Sequence, residues 1–313
     1  MGSATTAYLA IDAGGTFLKS AVLDAELKLI PGSGFTSPSH SEGSRENILA
    51  AFKEVLESGI KFTEKEGREM LGIGIAFPGP FDIMKAQSLM KHKFQHIYGI
   101  NLKQAFLSFA LFPETMPIHF IHDSNAVLLA ELWRGEGLAF NDVAVITLGT
   151  GLGFALSENR KVLCNKIGGP YISIYAMPEK EGILEDYTAR RGYLSLFQEL
   201  RGHKNPEDLT VRDIGRMADE GDQLSRQVFF RAGEILARSI RPVLVSRKIQ
   251  CLLFGGQISN SFRHMKPALE QGLSNIKSLE KISVVSSIDE AALTGAVIGM
   301  TSTEALFLHF NND

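Results

Sequence analysis

Asp123 is the carboxylate whose place in the sequence most strongly suggests acid–base chemistry. Residues 118–121 are apolar enough to predict a short buried strand, and apolar side chains recur at helical spacing from Asn125 onward. Asp123 therefore falls where a strand ends and a helix begins, and the partial positive charge of a helix N-terminus favours an ionised carboxylate. Ligands of open α/β sheets also bind beyond the carboxyl ends of strands. Two interpretations remain open: a helix N-cap, or a catalytic base directed into a cleft.

A glycine turn near the N-terminus has the composition of a phosphate-binding loop. Ala13-Gly14-Gly15-Thr16 is predicted to join a strand over residues 7–12 to a strand over residues 17–23. Two adjacent glycines let backbone N–H groups approach a phosphate closely, because no Cβ stands in the way. The Thr16 hydroxyl can donate to a phosphate oxygen, and Asp12 can hold a metal-bound water. An ordinary glycine hairpin turn is the alternative.

A second turn of the same kind follows the strand predicted over residues 143–147. It reads Leu148-Gly149-Thr150-Gly151-Leu152-Gly153 and leads into another short strand. Two strand–turn–strand units indicate a duplicated architecture that holds a ligand between its halves, and neither matches a Rossmann or a Walker loop. Gly255 and Gly256, after a strand over residues 250–254, would permit a base or sugar to approach, or would simply turn the chain into a helix.

Composition restricts the class of protein. The chain has 313 residues, 44% of them hydrophobic and 21% charged, which is enough for one large or two ordinary globular domains. The formal net charge of −3, without a dense basic run, does not predict nucleic-acid binding. The two distant cysteines, Cys164 and Cys251, suit a reducing compartment. Because neither a membrane span nor a signal peptide is evident, we expect a cytoplasmic protein without membrane association.

Strands and helices alternate along the chain, which is typical of an α/β fold. The strands predicted beyond those already described cover residues 27–30, 71–77 and 282–285. The principal helices are predicted at 47–58, 102–111, 222–245 and 291–308. Pro78-Gly79-Pro80 closes the strand at 71–77 and fixes a rigid corner, either as a substrate wall or as a plain loop.

Together these segments resemble the ROK (repressor, open reading frame, kinase) family of sugar kinases, within the actin-like ATPase superfold. The first glycine turn is similar to the family's first phosphate motif, residues 147–153 to its second, and residues 253–259 to its adenosine motif. His122-Asp123-Ser124-Asn125-Ala126 resembles the segment whose Asp activates the sugar hydroxyl. Residues 218–222 and 289–296 resemble two later landmarks, so the resemblance spans nearly the whole chain.

The resemblance implies an α/β protein with the actin-like ATPase (ribonuclease H-like) fold and a nucleotide and sugar cleft between two lobes. A small N-terminal lobe would cover residues 1–117 and a large C-terminal lobe residues 118–313. The last helix, about residues 297–313, would pack back on the first lobe. The implied partners are a sugar and ATP, and a homodimer is compatible with the family.

The activity implied by the resemblance is transfer of the γ-phosphoryl group of ATP to a hydroxyl of a hexose or N-acetylhexosamine, by family expectation the 6-hydroxyl. Asp123 would be the base, and Asp12 would hold Mg²⁺ through water. The implied nucleotide and phosphate ligands are Asp12, Gly14, Gly15, Thr16, Thr147, Gly149, Thr150, Gly151, Gly153, Gly255 and Gly256. The implied sugar ligands are Gly79, His122, Asp123 and Glu185, although Glu185 also suits the first turn of a helix, where the dipole favours acids.

The sequence departs from the family pattern in two places, at the family's zinc loop and at the N-terminus. The family's Glu-x-Gly-His and its cysteine-rich zinc loop are replaced by Lys166-Ile167-Gly168-Gly169-Pro170, so structural zinc is not expected and a sugar-binding carboxylate is replaced by Lys166. The histidines of residues 91–96 do not predict a metal site, because that run lacks a carboxylate or cysteine at ligand spacing. Only a few residues precede Tyr8, so the helix-turn-helix of repressor members is not expected.

Two other functions are compatible with some of these features. A non-catalytic sugar or nucleotide sensor would tolerate Lys166 but would not need a base at Asp123. An actin-like filament or chaperone ATPase would need the phosphate turns but neither Asp123 nor Glu185 at a sugar site. The kinase is therefore the favoured prediction, with the sugar, the hydroxyl and the donor (ATP or polyphosphate) left open.

Overall fold

The computed structural model describes residues 5–301 and 306–310. Its strands, in chain order, are β1 (Thr6–Ala13), β2 (Phe17–Asp24), β3 (Phe35–Pro38), β4 (Glu69–Phe77), β5 (Phe81–Asp82), β6 (Gln87–Ser88), β7 (Ile118–His122), β8 (Val143–Leu148), β9 (Leu152–Glu158), β10 (Lys161–Asn165), β11 (Pro178–Glu179), β12 (Gly182–Ile183), β13 (Cys251–Gly255), β14 (Lys281–Val284) and β15 (Phe307–Phe310).

The α-helices of the same residues are α1 (Arg45–Lys65), α2 (Leu102–Leu107), α3 (Asp123–Arg134), α4 (Leu184–Thr188), α5 (Arg190–Arg201), α6 (Val211–Asp219), α7 (Gln223–Ser246), α8 (Phe262–Leu273) and α9 (Ala291–Thr301). Short 3₁₀ turns occur at Gln95–Ile97 and Gln257–Ser261. Among the described helices, none is both long enough and apolar enough to cross a bilayer.

The chain divides into two compact units. The first unit comprises residues 1–130, 161–171 and 290–313, and the second comprises residues 131–160 and 172–289. The boundary predicted from sequence, after residue 117, differs from this division. The reason is that β7 pairs with β4 in the sheet of the first unit. Helix α3 follows β7 directly, so the first unit includes α3 as far as Ala130.

The first unit is built on a five-stranded sheet in the order β3-β2-β1-β4-β7. The first three strands run antiparallel to one another, whereas β1, β4 and β7 are parallel. Helix α1 starts at Ser44, whose side chain accepts a hydrogen bond from the Asn47 N–H. It packs on one face of the sheet, where Gly59 leaves room for Leu9, while α9 packs on the other face, where Gly74 leaves room for the Ala296 backbone.

Aromatic side chains fill the core on the α1 face of this sheet. Phe52 of α1 lies 6.0 Å from Phe77 of β4 and 5.2 Å from Phe106 of α2, measured between ring centroids. Phe94 lies 5.4 Å from Phe77 and, like the other three rings, is fully buried. Burial of rings of this size is the main source of stability for the unit and fixes the loop that carries Phe94.

In the second unit, strands β14, β13, β8 and β9 are adjacent in that order. The first three are parallel, and β9 returns antiparallel to β8 through the second glycine turn. Helices α7 and α8 pack closely, because Gly233 faces Met265 and Gly272 faces Ala237 without an intervening Cβ. Because β8 and β13 pair in parallel, their carboxyl ends lie side by side, with Thr147 opposite Gly255.

Two local predictions are wrong. Residues 27–30 form only an isolated bridge between Leu23 and Leu29, and the third strand of the sheet is Phe35–Pro38. Leu27 takes a positive φ of 59° and Pro31-Gly32 follows, so the pairing cannot continue there. The helix predicted over 291–308 ends at Thr301, and residues 307–310 form β15, which pairs with β10. Residues 302–305 and 311–313 of the predicted closing helix lie outside the described residues.

A close helix contact in the first unit provides a test of this packing. A Cβ on Gly295 of α9 would collide with the Ala126 carbonyl oxygen of α3. Although Ala favours a helix over Gly, Gly295→Ala is expected to destabilise the protein by about 1–3 kcal/mol, because a backbone atom must move. Urea unfolding measures the change. Gly34→Ala, where a Cβ meets nothing within 4 Å, is the matched control and should be nearly neutral; an equally neutral Gly295→Ala would contradict the contact.

Candidate active site

Asp12 and Asp123 are brought together by the parallel strands of the first unit. Asp12 lies near the end of β1, level with Ala76 of β4, and His122 ends β7 level with Phe77 of the same strand. Asp123 follows at once as the first residue of α3. The two carboxylates therefore lie at one edge of the sheet, close enough for their charges to interact.

The first glycine turn is held in shape by hydrogen bonds. The Gly14 N–H donates to the Phe17 carbonyl at 2.9 Å, which closes the turn. The hydroxyls of Ser39 and Ser41, in the segment after β3, both donate to the Gly15 carbonyl, at 2.8 and 2.5 Å. Sequence reasoning missed both serines, because nothing in their local pattern indicates that β3 places them beside a turn that lies far away in sequence. With its carbonyls engaged, the turn presents Gly14, Gly15 and the exposed Thr16 at the edge of the unit.

The Asp123 carboxylate has two nearby donors. Its Oδ1 accepts a hydrogen bond from the Ser124 N–H at 2.6 Å and lies 2.9 Å from His122 Nδ1. His122 Nδ1 is also 2.9 Å from the Ser124 hydroxyl. The His122 side chain is only 13% exposed, whereas that of Asp123 is 36% exposed. Asp123 is thus anchored at one oxygen and accessible to solvent, as an acceptor for an external hydroxyl must be.

The pKa values of the two carboxyls are shifted in opposite directions. Burial is the largest influence on Asp123 and raises its pKa, but His122, the Ser124 N–H and Lys93 together outweigh it, so the pKa lies below the ordinary value. For Asp12, burial and the nearby Asp123 charge raise the pKa to about 6, against a smaller opposing effect of Lys19. At neutral pH, Asp123 is fully ionised and Asp12 is the carboxyl that most favours an additional cation.

Gly79 lies against His122 in the same unit. A Cβ on Gly79 would stand 2.7 Å from His122 Nε2, so only glycine leaves this ring in place. The predicted corner at Pro78-Gly79-Pro80 therefore supports the histidine that contacts Asp123. Lys166, in contrast, is exposed, and its loop is held by the side-chain Oδ1 of Asn165, which accepts hydrogen bonds from the Ile167 and Gly169 N–H groups.

The second unit carries the other set of predicted residues. Thr147 pairs with Gly153 across the hairpin of β8 and β9, and the Gly149 N–H donates to the Gly151 carbonyl at 3.0 Å. Gly256, with a φ of +79°, packs directly on Leu148, so the adenosine-type and second phosphate-type segments touch. Thr150 is exposed at the tip of the turn.

Glu185 lies at the start of α4 and contacts this second turn. Its Oε2 accepts a hydrogen bond from the Leu152 N–H at 2.8 Å, and the Arg190 N–H donates to the Gly149 carbonyl at 2.9 Å. Glu185 thus supports the turn, an interaction that sequence reasoning did not anticipate. Its predicted sugar contact stays a prediction.

Both cysteines are buried, and burial raises the pKa of each thiol to about 12, which disfavours the thiolate that zinc requires. Within residues 5–301 and 306–310, no group of three or more His, Cys, Asp or Glu side chains is arranged to hold a metal. The expectation of a protein without structural zinc stays a prediction, which elemental analysis can test.

Asp12→Asn is expected to stabilise the metal-free protein at neutral pH. The unfolded chain releases this proton near pH 3.8 and the folded chain near pH 6, so the folded state binds more protons between these values and loses stability as the pH rises through them. The advantage of the variant should therefore grow by about 1–2 kcal/mol between pH 4.5 and 7.5. Urea unfolding in EDTA measures it, with Glu64→Gln, an exposed carboxylate of α1, as the control. An advantage that is independent of pH would contradict the shift.

The chain is similar in sequence to known proteins. The family model described as "ROK family" matches residues 8–301. The chain is 24% identical over 275 residues to a glucokinase from Halalkalibacterium halodurans, covering 81% of each chain. It is 25% identical over 260 residues to an N-acetylmannosamine kinase from Salmonella arizonae, covering 80% of this chain and 82% of the relative.

Solved structures share the fold. A ROK family glucokinase from Streptomyces griseus, in complex with glucose and AMPPNP, superposes with a TM-score of 0.79 at 18% identity, covering 93% of this chain and 97% of that one. This likeness confirms the predicted actin-like α/β fold. The family match, which extends over nearly the whole chain, confirms the resemblance seen in the sequence: the protein belongs to the ROK family.

Proposed function

We propose that the protein is an ATP-dependent sugar kinase that transfers the γ-phosphoryl group to a hydroxyl of a hexose or N-acetylhexosamine, with Asp123 as the base. The observation that carries this proposal is the Asp123 carboxylate itself. It is ionised, accessible and anchored by His122 and the Ser124 N–H, on the same sheet edge as the glycine turn. A helix cap alone would not need the His122 contact.

The transfer step would proceed by displacement at phosphorus. The acceptor hydroxyl gives its proton to the Asp123 carboxylate as its oxygen forms a bond to the γ-phosphorus. The bond between the γ-phosphorus and the β,γ-bridging oxygen breaks, and its electron pair leaves with ADP. The low pKa of Asp123 keeps it unprotonated before the step, while His122 holds the carboxylate in one orientation.

The two glycine turns would bind the phosphates. Gly14, Gly15 and Thr16 offer N–H and hydroxyl donors in the first unit, and Thr147, Gly149, Thr150, Gly151 and Gly153 offer them in the second. Gly255 and Gly256 would approach the adenosine through their backbone, and glycine at 256 lets this segment pack directly on Leu148. The AMPPNP named in the structure of the Streptomyces griseus relative supports the proposal that the protein binds a nucleotide.

Asp12 fits a Mg²⁺ that accompanies ATP. Its carboxyl is an oxygen ligand of the kind Mg²⁺ prefers. Burial, together with the nearby Asp123 charge, raises its pKa, and a bound cation would favour the ionised form. When bound, Mg²⁺ would neutralise charge on the phosphate oxygens. Asp12 is proposed to hold it through water.

Gly79, His122 and Glu185 are proposed to contact the sugar together with Asp123. The relatives named above act on glucose and on N-acetylmannosamine, so hexoses and N-acetylhexosamines are the acceptor class to test. Lys166, exposed where the family has a carboxylate, leaves the sugar to be determined by assay. The 6-hydroxyl is the proposed acceptor position.

Asp123→Asn tests the base. Asn preserves the size of the side chain but cannot accept the proton, so the rate should fall about 10²–10⁴-fold while sugar and ATP still bind. The measurement is ADP release with glucose, mannose, N-acetylglucosamine and N-acetylmannosamine, combined with calorimetric binding. Thermal unfolding checks that the variant folds.

Asp213→Asn is the matched control, because Asp213 is also a first-turn carboxylate, in the capping box of α6. This control should keep wild-type turnover even if it loses some stability. Turnover by Asp123→Asn within a few-fold of wild type would show that Asp123 is only a helix cap. A wild-type protein that binds a sugar of the panel without phosphorylating it would instead be a non-catalytic sensor.

A further inference from the structure

Lys93 lies on the first glycine turn. A Cβ placed on Gly15 would stand 3.0 Å from Lys93 Cδ, 3.3 Å from Cε and 3.6 Å from Nζ. The aliphatic stem of the lysine therefore covers the glycine, and its ammonium stands beside the turn. Lys93 is only partly exposed, in contrast to the exposed Lys91 two residues earlier.

The backbone around Lys93 is tightly held. Phe94 adopts a left-handed conformation with a φ of 53°, and its ring is buried against Phe52 and Phe77. The Phe94 N–H donates to the Ser41 carbonyl at 2.7 Å, and the Ser41 hydroxyl donates to the Gly15 carbonyl. Ser41 thus holds both the glycine turn and the segment that places Lys93 against this turn. The burial of Phe94 and these hydrogen bonds fix the position of Lys93.

The charge of Lys93 is available to a ligand. Among the described residues it takes part in no ion pair, whereas Lys281, Lys85 and Lys53 all pair with carboxylates. The groups around Asp123 are His122, Lys93 and, across the sheet edge, Asp12 with Lys19. Lys93 is near enough to Asp123 to lower the pKa of that carboxyl, so its positive charge acts on both the turn and the proposed base.

We propose that Lys93 is a further catalytic residue, whose ammonium contacts the phosphoryl group as it passes from the nucleotide to the sugar hydroxyl. This inference rests on the proposed kinase function. Negative charge on the transferred group is spread over its equatorial oxygens, and a fixed cation beside the turn stabilises it. Lys93 stays protonated throughout, forms no covalent bond and exchanges no proton with the acceptor, which gives its proton to Asp123.

The test compares Lys93→Met, Lys93→Arg and Lys91→Met in the full-length protein with MgATP and the sugar of the panel that wild type turns over fastest. Met keeps the unbranched stem over Gly15 but removes the charge. We expect kcat of Lys93→Met to fall about 10²–10³-fold, as when one transition-state donor is lost, with the sugar KM within threefold of wild type. Lys93→Arg should keep at least tenfold more activity than Lys93→Met. Lys91→Met, which removes the same charge from the same loop, should stay within twofold of wild type.

Several outcomes would overturn the inference. They are a kcat of Lys93→Met within threefold of wild type, an equal loss in Lys91→Met, or an Arg variant no better than Met. Thermal unfolding of every variant shows whether a loss follows unfolding, and Lys93→Gln serves if the Met variant does not fold. If wild type phosphorylates no sugar of the panel, the kinase proposal fails and this inference fails with it. If wild type does and Lys93→Met does equally well, only the role of Lys93 is wrong.

Discussion

Two carboxylates with interacting charges at one sheet edge are the constraint on which this site depends. Burial raises the pKa of both Asp12 and Asp123, and the charge of Asp123 makes ionisation of Asp12 still less favourable. Asp123 has a neighbouring histidine, a backbone N–H and the charge of Lys93 to lower its pKa, while Lys19, opposite Asp12 on β2, lowers the pKa of Asp12 less than burial and Asp123 raise it. One carboxyl is therefore kept ionised at neutral pH, and the other retains affinity for an additional cation. This asymmetry distinguishes the proposed base, Asp123, from the carboxylate proposed to face Mg²⁺, although both residues are aspartates.

The scaffold maintains this asymmetry through close backbone packing. α9 can approach β4 at Gly74 and α3 at Gly295 only because these glycines lack a Cβ. The first turn of α3, and with it Asp123, is thereby fixed against the sheet that carries Asp12. Gly79 lets the backbone pack closely against the His122 ring. Ser39 and Ser41 hold the glycine turn by hydrogen bonds to the Gly15 carbonyl. Rigid support of this kind is what a phosphoryl-transfer site requires, since the protein contributes mainly position and charge.

Local sequence was sufficient to predict most of the strands, both glycine turns and the place of Asp123 between strand and helix, because each depends on residues adjacent in the chain. It could not reveal Ser41 or Lys93, which reach Gly15 only through the pairing of β3 and the burial of Phe94. The boundary between the two units could not be predicted from local sequence either, because it depends on the strand with which β7 pairs. Residues 161–165, too short and too ambiguous to predict, form β10 because Phe307–Phe310 pairs with them.

The central claim is that the protein keeps Asp123 ionised while Asp12 holds its proton longer. A titration of the metal-free protein, with the side-chain carboxyl carbons of aspartate followed individually by NMR, measures both groups directly. Asp123→Asn and Asp12→Asn assign the two signals. We expect the pKa of Asp123 to lie below the ordinary value of an aspartate and the pKa of Asp12 to be about 6. If Asp123 instead titrated at or above the value of Asp12, it would hold the shared charge less well than its neighbour, and it could not be the base described here.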